Sequence, residues 1–210
     1  GLKPSSSGWP LAQAIMDHLD KTWRQPDHGI WEIRAAGRPF TYSVALCHVA
    51  VDRALRIAEL CDLPHPRPRW RAAADLMRTA VLEQAWDPDR RTFTEHLASD
   101  GEPRGGLDGS LLALPLRRVV DAGDPRMVST TEAVRRTLDA GDGLLYRYLP
   151  DESSDGLAGE EGAFLLCSFW LVDNLTGQGR LDEAEAALDR PVPRPALAAR
   201  PAARKAAPAR

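Results

Sequence analysis

Apolar side chains recur at helical spacing through most of the chain. Leu11, Ile15, Leu19 and Trp23 stand four apart behind Ser7, Gly8 and Pro10, which predicts a helix from about Pro10 to Trp23. A second helix, capped by Thr41 or Ser43, is expected to run to about Cys61 and to end before Pro64. Its apolar positions fall on two faces, Val44, Cys47, Val51 and Leu55 on one and Leu46, Ala50, Ala54 and Ile57 on another, the pattern of a helix buried between neighbours. Trp70, Ala74, Met77 and Val81 mark a third helix to Gln84. A fourth is expected over Asp108 to Val120, bent at Pro115, and a fifth from Asp124 and Pro125 to about Leu138. A sixth is expected over Gly162 to Asn174 and a seventh over Leu181 to Leu188.

Extended structure is expected only as short arms. Asp87-Pro88-Asp89 suits a tight turn before Thr92-Phe93-Thr94, and DGLLYRYLP reads as a short strand-like stretch. The fold class is therefore all-α with short β arms. There is no exact short repeat, but helix pairs spaced by roughly 40 to 50 residues fit a stacked or toroidal helical architecture. Residues 191–210 read PVPRPALAARPAARKAAPAR, whose prolines forbid a continuous helix and whose alanines offer little surface to bury. The organisation expected is one folded domain over 1–190 and a disordered tail over 191–210.

Composition narrows the class. Of 210 residues, 43% are hydrophobic and 27% charged, the make-up of a soluble globular protein, and no apolar run is long enough for a membrane span. The net charge of −3 is unevenly spread: Arg194, Arg200, Arg204, Lys205 and Arg210 give the tail +5, which leaves −8 on the first 190 residues. Five spaced cations without aromatics do not make a nucleic-acid site, and neither a nucleic-acid nor a membrane partner is expected. Cys47, Cys61 and Cys167 are odd in number and far apart, which argues against disulfides and for a cytoplasmic protein. Cys47 and Cys167 read as buried thiols. His18, His65 and His96 are scattered without metal-ligand spacing, so neither metal nor cofactor is expected.

The stretch DHGIWEIRAAGRPF, Asp27 to Phe40, is the richest in chemistry. Glu32 directly follows Trp31, between an acidic turn (Asp27, His28, Gly29) and a basic, glycine-broken loop (Arg34, Gly37, Arg38, Pro39). An indole can cover the apolar face of a pyranose while charged groups bind its hydroxyls. A carboxyl partly shielded beside that indole is suited to donate a proton. The plainer alternative is a core aromatic beside a solvated glutamate. The chain has no Gly-rich phosphate loop and no G-x-S-x-G elbow, so nucleotide and serine-hydrolase chemistries have no support.

The segment PDHGIWEIRAAGRPFTYSVALCHVAVDRALRIAE resembles the region of the catalytic acid in glycoside hydrolase family 15, which includes glucoamylases, glucodextranases and some bacterial trehalases. LDGSLLALPL, DGLLYRY and EGAFLLCSFWLVDNL resemble further segments of bacterial members, in the same order. The resemblance covers about Leu19 to Arg190. It implies the (α/α)6 toroid, of which this chain would supply about half. It also implies inverting hydrolysis of terminal α-glucosides, in starch-derived oligosaccharides or trehalose, with two carboxyl groups about 6.5 to 9.5 Å apart.

On the same resemblance Glu32 is the general acid, Trp31 packs against the sugar or walls the pocket, and Arg147 reaches a substrate hydroxyl. Glu161 either binds a sugar hydroxyl or caps the sixth helix. Arg147 has an alternative in an ion pair with Asp151 or Asp155. Asp108 reads as a helix cap and not as a catalytic group. His28 stands where relatives often carry Glu, and Val44 and His48 replace a lysine and a tryptophan common in bacterial members. The family's base lies in an Ala-Glu-Glu or Ala-Glu-Gln segment beyond the EGAF helix, where this chain turns into its tail. A truncated enzyme is therefore expected, the alternative being a non-catalytic helical scaffold or sugar-binding module. Half a toroid would also expose apolar helix faces, so self-association is expected.

Overall fold

The computed structural model describes residues 8–99, 104–149 and 162–189. Its helices are α1 Gly8–Thr22, α2 Thr41–Cys61, α3 Arg67–Gln84, α4 Ala113–Leu116, α5 Pro125–Thr137, α6 Leu165–Gly177 and α7 Leu181–Leu188. Two arms, β1 Trp86–Asp87 and β2 Thr92–Phe93, pair antiparallel with Trp86 opposite Phe93. The expected all-α body with short β arms is what the chain forms. The expected tail over 191–210 and Glu161 lie outside the described residues.

α2 packs chiefly on α3, and Val44, Val51 and Leu55 join Trp70, Met77 and Val81 in one buried cluster that continues through Leu111, Leu114, Met127, Val134 and Leu175. Asp124 caps α5 by accepting from the Arg126 backbone N–H at 2.9 Å, with Pro125 following it in the first turn. β2 is tied to α5 where the Phe93 N–H donates to Thr130 Oγ1 at 2.9 Å. α6 is pinned through buried Asn174, whose amide donates to the carbonyls of Leu112 at 2.5 Å and Trp170 at 2.8 Å.

Several expectations are corrected. α1 does not bury the Leu11 and Ile15 face, which is 63% and 45% exposed; Trp9, Met16 and Trp23 go inward. The indole of Trp9 decides this rotation, since it meets Trp70 edge-on at 5.9 Å and donates Nε1–H to the Pro64 carbonyl at 3.0 Å. The second face of α2 is covered only in part: Ala54 is buried and Ala50 half-buried, but Leu46 and Ile57 are exposed. Neither Thr41 nor Ser43 caps it; Thr41 Oγ1 donates to the Thr94 carbonyl and Ser43 Oγ to Asp27 Oδ1. Cys47 is half-buried.

The fourth helix is much shorter than expected. A 3₁₀ turn over Gly109–Leu112 passes into the single turn of α4. The chain then leaves through Arg118 at φ 64°, with Arg118 N–H on the Pro115 carbonyl and Val119 N–H on the Leu114 carbonyl. Pro115 removes a helical donor, and the left-handed residue closes the end. α6 begins at Leu165 and not at Gly162, because extended Phe164 gives its N–H to the Leu145 carbonyl at 2.7 Å.

Candidate functional site

The loop from Asp27 to Phe40 is held at both ends. Asp27 and Arg38 exchange backbone hydrogen bonds of 2.9 Å in each direction. The Asp27 carboxylate accepts from Gly29 N–H at 2.5 Å and from Ser43 Oγ at 2.8 Å, which anchors the loop to the first turn of α2. Gly29 is needed as glycine: it sits at φ 67°, and a Cβ there would stand 3.0 Å from the Phe40 ring. Beyond it the Ile33 N–H donates to the His28 carbonyl at 2.9 Å, and His28 Nδ1–H returns to the Ile33 carbonyl at 2.8 Å. The four residues 29–32 are thus a closed turn with Trp31 and Glu32 on it.

Trp31 is half-buried and Glu32 is exposed, in the left-handed region at φ 52°. The expected shielding of Glu32 by its neighbouring indole is therefore absent; the ring is drawn toward the core instead. Its Nε1–H donates to Asp108 Oδ2 at 2.7 Å. Phe164 meets it edge-on, with ring centroids 5.3 Å apart and an interplanar angle of 82°. Trp170 lies 6.3 Å away and Tyr42 a further 6.3 Å beyond that, so an aromatic row runs from the loop through α6 to α2.

Arg147 completes the cluster. Its guanidinium carbon is 5.6 Å from the Trp31 ring centroid, 5.5 Å from Phe164 and 5.1 Å from Tyr148. The structure thus brings Trp31 and Arg147 into contact, with Glu32 the next residue along the loop. Glu161, Asp151 and Asp155 lie outside the described residues.

Asp108 is the member that the sequence reading undervalued. It does cap the 3₁₀ turn, accepting from the Ser110 N–H at 2.7 Å through Oδ1, as expected. Its other oxygen holds the indole, and the side chain is buried. Burial pushes its carboxyl up to about 6, against the opposing pull of hydrogen bonds from Ser110 and Trp31, with Glu95 adding a smaller upward push. Cys167 lies close by. Its thiol is pushed up to about 12 by burial first and by Asp108 second, partly offset by Arg147. The available signal was that Asp108 belongs to LDGS and Phe164 to EGAF, two of the segments on which the family resemblance rests.

The model of glycosyl hydrolases family 15 matches residues 1–189. The chain belongs to glycoside hydrolase family 15. It is 38% identical over 182 residues to a trehalase of Mycobacterium tuberculosis and 39% identical over 182 residues to one of Mycolicibacterium smegmatis, covering 87% of this chain and 26% of each relative. A trehalase of Thermoplasma volcanium is 30% identical over 181 residues. The chain therefore spans about a quarter of the length of these curated relatives. A wild-type glycosidase structure superposes with a TM-score of 0.64 at 23% identity, over 82% of this chain and 43% of the other. A variant glycosidase in complex with glucose gives 0.65 at 21% identity with the same coverage. The family 15 chain described here is thus part of the (α/α)6 toroid of these glycosidases.

Proposed function

We propose that the chain is part of the catalytic domain of an inverting α-glucoside hydrolase, with trehalose as the favoured substrate. The observation that carries this reading is the loop of Trp31 and Glu32, locked at both ends, with the Arg147 guanidinium over the indole. The names of the relatives favour trehalose over starch-derived oligosaccharides.

In this reading Glu32 protonates the departing glycosidic oxygen while a second carboxylate deprotonates water on the far face of the ring. Asp108 is not that second group, because both its oxygens already accept hydrogen bonds. The base belongs to a segment outside this chain. Trp31 walls the glucosyl subsite, and Arg147, whose planar fork suits vicinal hydroxyls, binds the sugar rim. Glu161 binds a sugar hydroxyl. The proposed location is the cytoplasm, on the odd number and wide spacing of the cysteines. Exposed Leu46, Ile57 and Leu60 on α2, and Leu165, Leu166 and Phe169 on α6, support self-association.

The test is sugar binding by the purified chain, followed by calorimetry and by indole N–H resonances with trehalose, maltose and glucose. Trehalose should perturb the Trp31 resonance at millimolar concentration, and Trp31→Ala should abolish binding. No perturbation at saturating sugar, or binding indifferent to Trp31→Ala, would sink the proposal.

A further inference from the structure

We infer that Asp108 is a positioning residue of this sugar site: its carboxylate fixes the Trp31 indole and, through it, the left-handed backbone at Glu32. The inference rests on the proposed sugar site for its functional meaning and on geometry for its substance.

Two consecutive residues of LDGS, Asp108 and Gly109, each make a tie across the fold, and Ser110 closes the turn locally. Asp108 takes the Trp31 indole through Oδ2 and the Ser110 N–H through Oδ1, both at 2.7 Å. Gly109 donates its N–H to the Arg147 carbonyl at 2.7 Å. A Cβ on Gly109 would stand 2.6 Å from Cys167 Sγ and 3.3 Å from that carbonyl, so the turn can reach α6 and the Arg147 segment only as glycine. One turn therefore holds both the ring of Trp31 and the backbone of Arg147, the residue whose guanidinium lies over that ring.

Glu32 makes the tie consequential. A non-glycine residue at φ 52° is a conformation the chain adopts only where its surroundings enforce it. Trp31 precedes Glu32 in the turn closed by the two His28–Ile33 bonds, so the indole bond adds a long-range side-chain anchor to the turn that carries the Glu32 carboxyl. A carboxylate is needed for this because both of its oxygens accept. An amide at 108 has one acceptor and must surrender either the indole or Ser110. Protonation has the same effect. Glu95 opposes the Asp108 charge; Cys167 and Arg147 also face this corner, where Asp108 pushes the Cys167 thiol up and Arg147 pulls it down.

The experiment uses the ¹⁵N-labelled 210-residue chain, with the Trp31 Nε1–H resonance assigned by Trp31→Phe. In the unmodified chain this resonance should move with pH on a midpoint near 6, and in Asp108→Asn it should be displaced and no longer titrate. Trehalose affinity should fall about tenfold in Asp108→Asn, the loss expected of one charge-assisted hydrogen bond. If that variant does not fold, the pH titration of the unmodified chain decides alone. An indole resonance flat between pH 4 and 8, or one unchanged in Asp108→Asn, overturns the positioning role while leaving the sugar site standing. Wild-type affinity in a folded Asp108→Asn overturns it as well. Absence of trehalose binding by the unmodified chain overturns the sugar site, and the positioning role with it, even where the indole titrates.

Discussion

Arg147 lies over the face of Trp31, its guanidinium carbon 5.6 Å from the ring centroid, although the two residues come from opposite halves of the chain. The cation–π contact ties the two residues to each other across the fold. Arg147→Ala should lower stability by about 0.5 to 2 kcal/mol in urea unfolding and weaken trehalose binding in calorimetry. Arg147→Lys should restore less than half of either loss, since an ammonium keeps the charge without the planar stack. Full rescue by lysine would show that only charge matters there.

Turnover is a separate matter from binding. The proposed inverting mechanism needs two carboxyl groups, and the role proposed for Glu32 is that of the acid alone. The 210-residue chain incubated for a day with trehalose, maltose or maltotriose should release negligible glucose, with no difference from Glu32→Gln. Glucose release that disappears in Glu32→Gln would mean that a second residue of this chain serves as base.

Asp108 also gives stability a pH dependence of known sign. Its folded-state value, pushed up to about 6 from 3.8, lies above the unfolded one. The folded state therefore binds the extra proton, and this contribution is full below about pH 4 and lost as pH rises through 6. The size is on the order of 3 kcal/mol. Thermal melts of the unmodified chain and Asp108→Asn should show a difference in Tm that shifts against the unmodified chain between pH 4 and 6. A constant difference over that range would mean that Asp108 is not raised.

Close packing at Gly109 predicts non-additivity. Gly109→Ala places a methyl against Cys167 Sγ and should destabilise by about 2 kcal/mol or more. Cys167→Ala alone opens a small cavity. The double variant should be more stable than the sum of the two losses by roughly 1 kcal/mol, as residues in contact behave. Strict additivity in denaturant titrations would mean the clash is relieved by backbone movement.

The exposed apolar face of α6 should drive association. Phe169 is 51% exposed, beside Leu165 and Leu166. Sedimentation velocity is expected to show concentration-dependent self-association that Phe169→Glu reduces. A monodisperse monomer at high concentration would contradict it.

The sequence by itself determined what depends on near neighbours. Periodicity located α3, α5 and α7, with α7 falling on the expected Leu181–Leu188, and Pro115 forecast trouble in the fourth helix. The adjacency of Trp31 and Glu32 marked a candidate site, and linked segments marked the family before any fold was in hand. Tertiary structure decided what depends on distant partners. Leu11, Ile15, Leu19 and Trp23 form a plausible apolar stripe, yet α1 turns so that Trp9 reaches Trp70 and Pro64. The second apolar face of α2 was visible, but whether a neighbour covers it is not a property of α2. The bond from Trp31 to Asp108 spans 77 residues, so no local spacing encodes it. A helical pattern states which side chains share a face; only the packing of the whole chain states which face is buried and which carboxylate meets which indole.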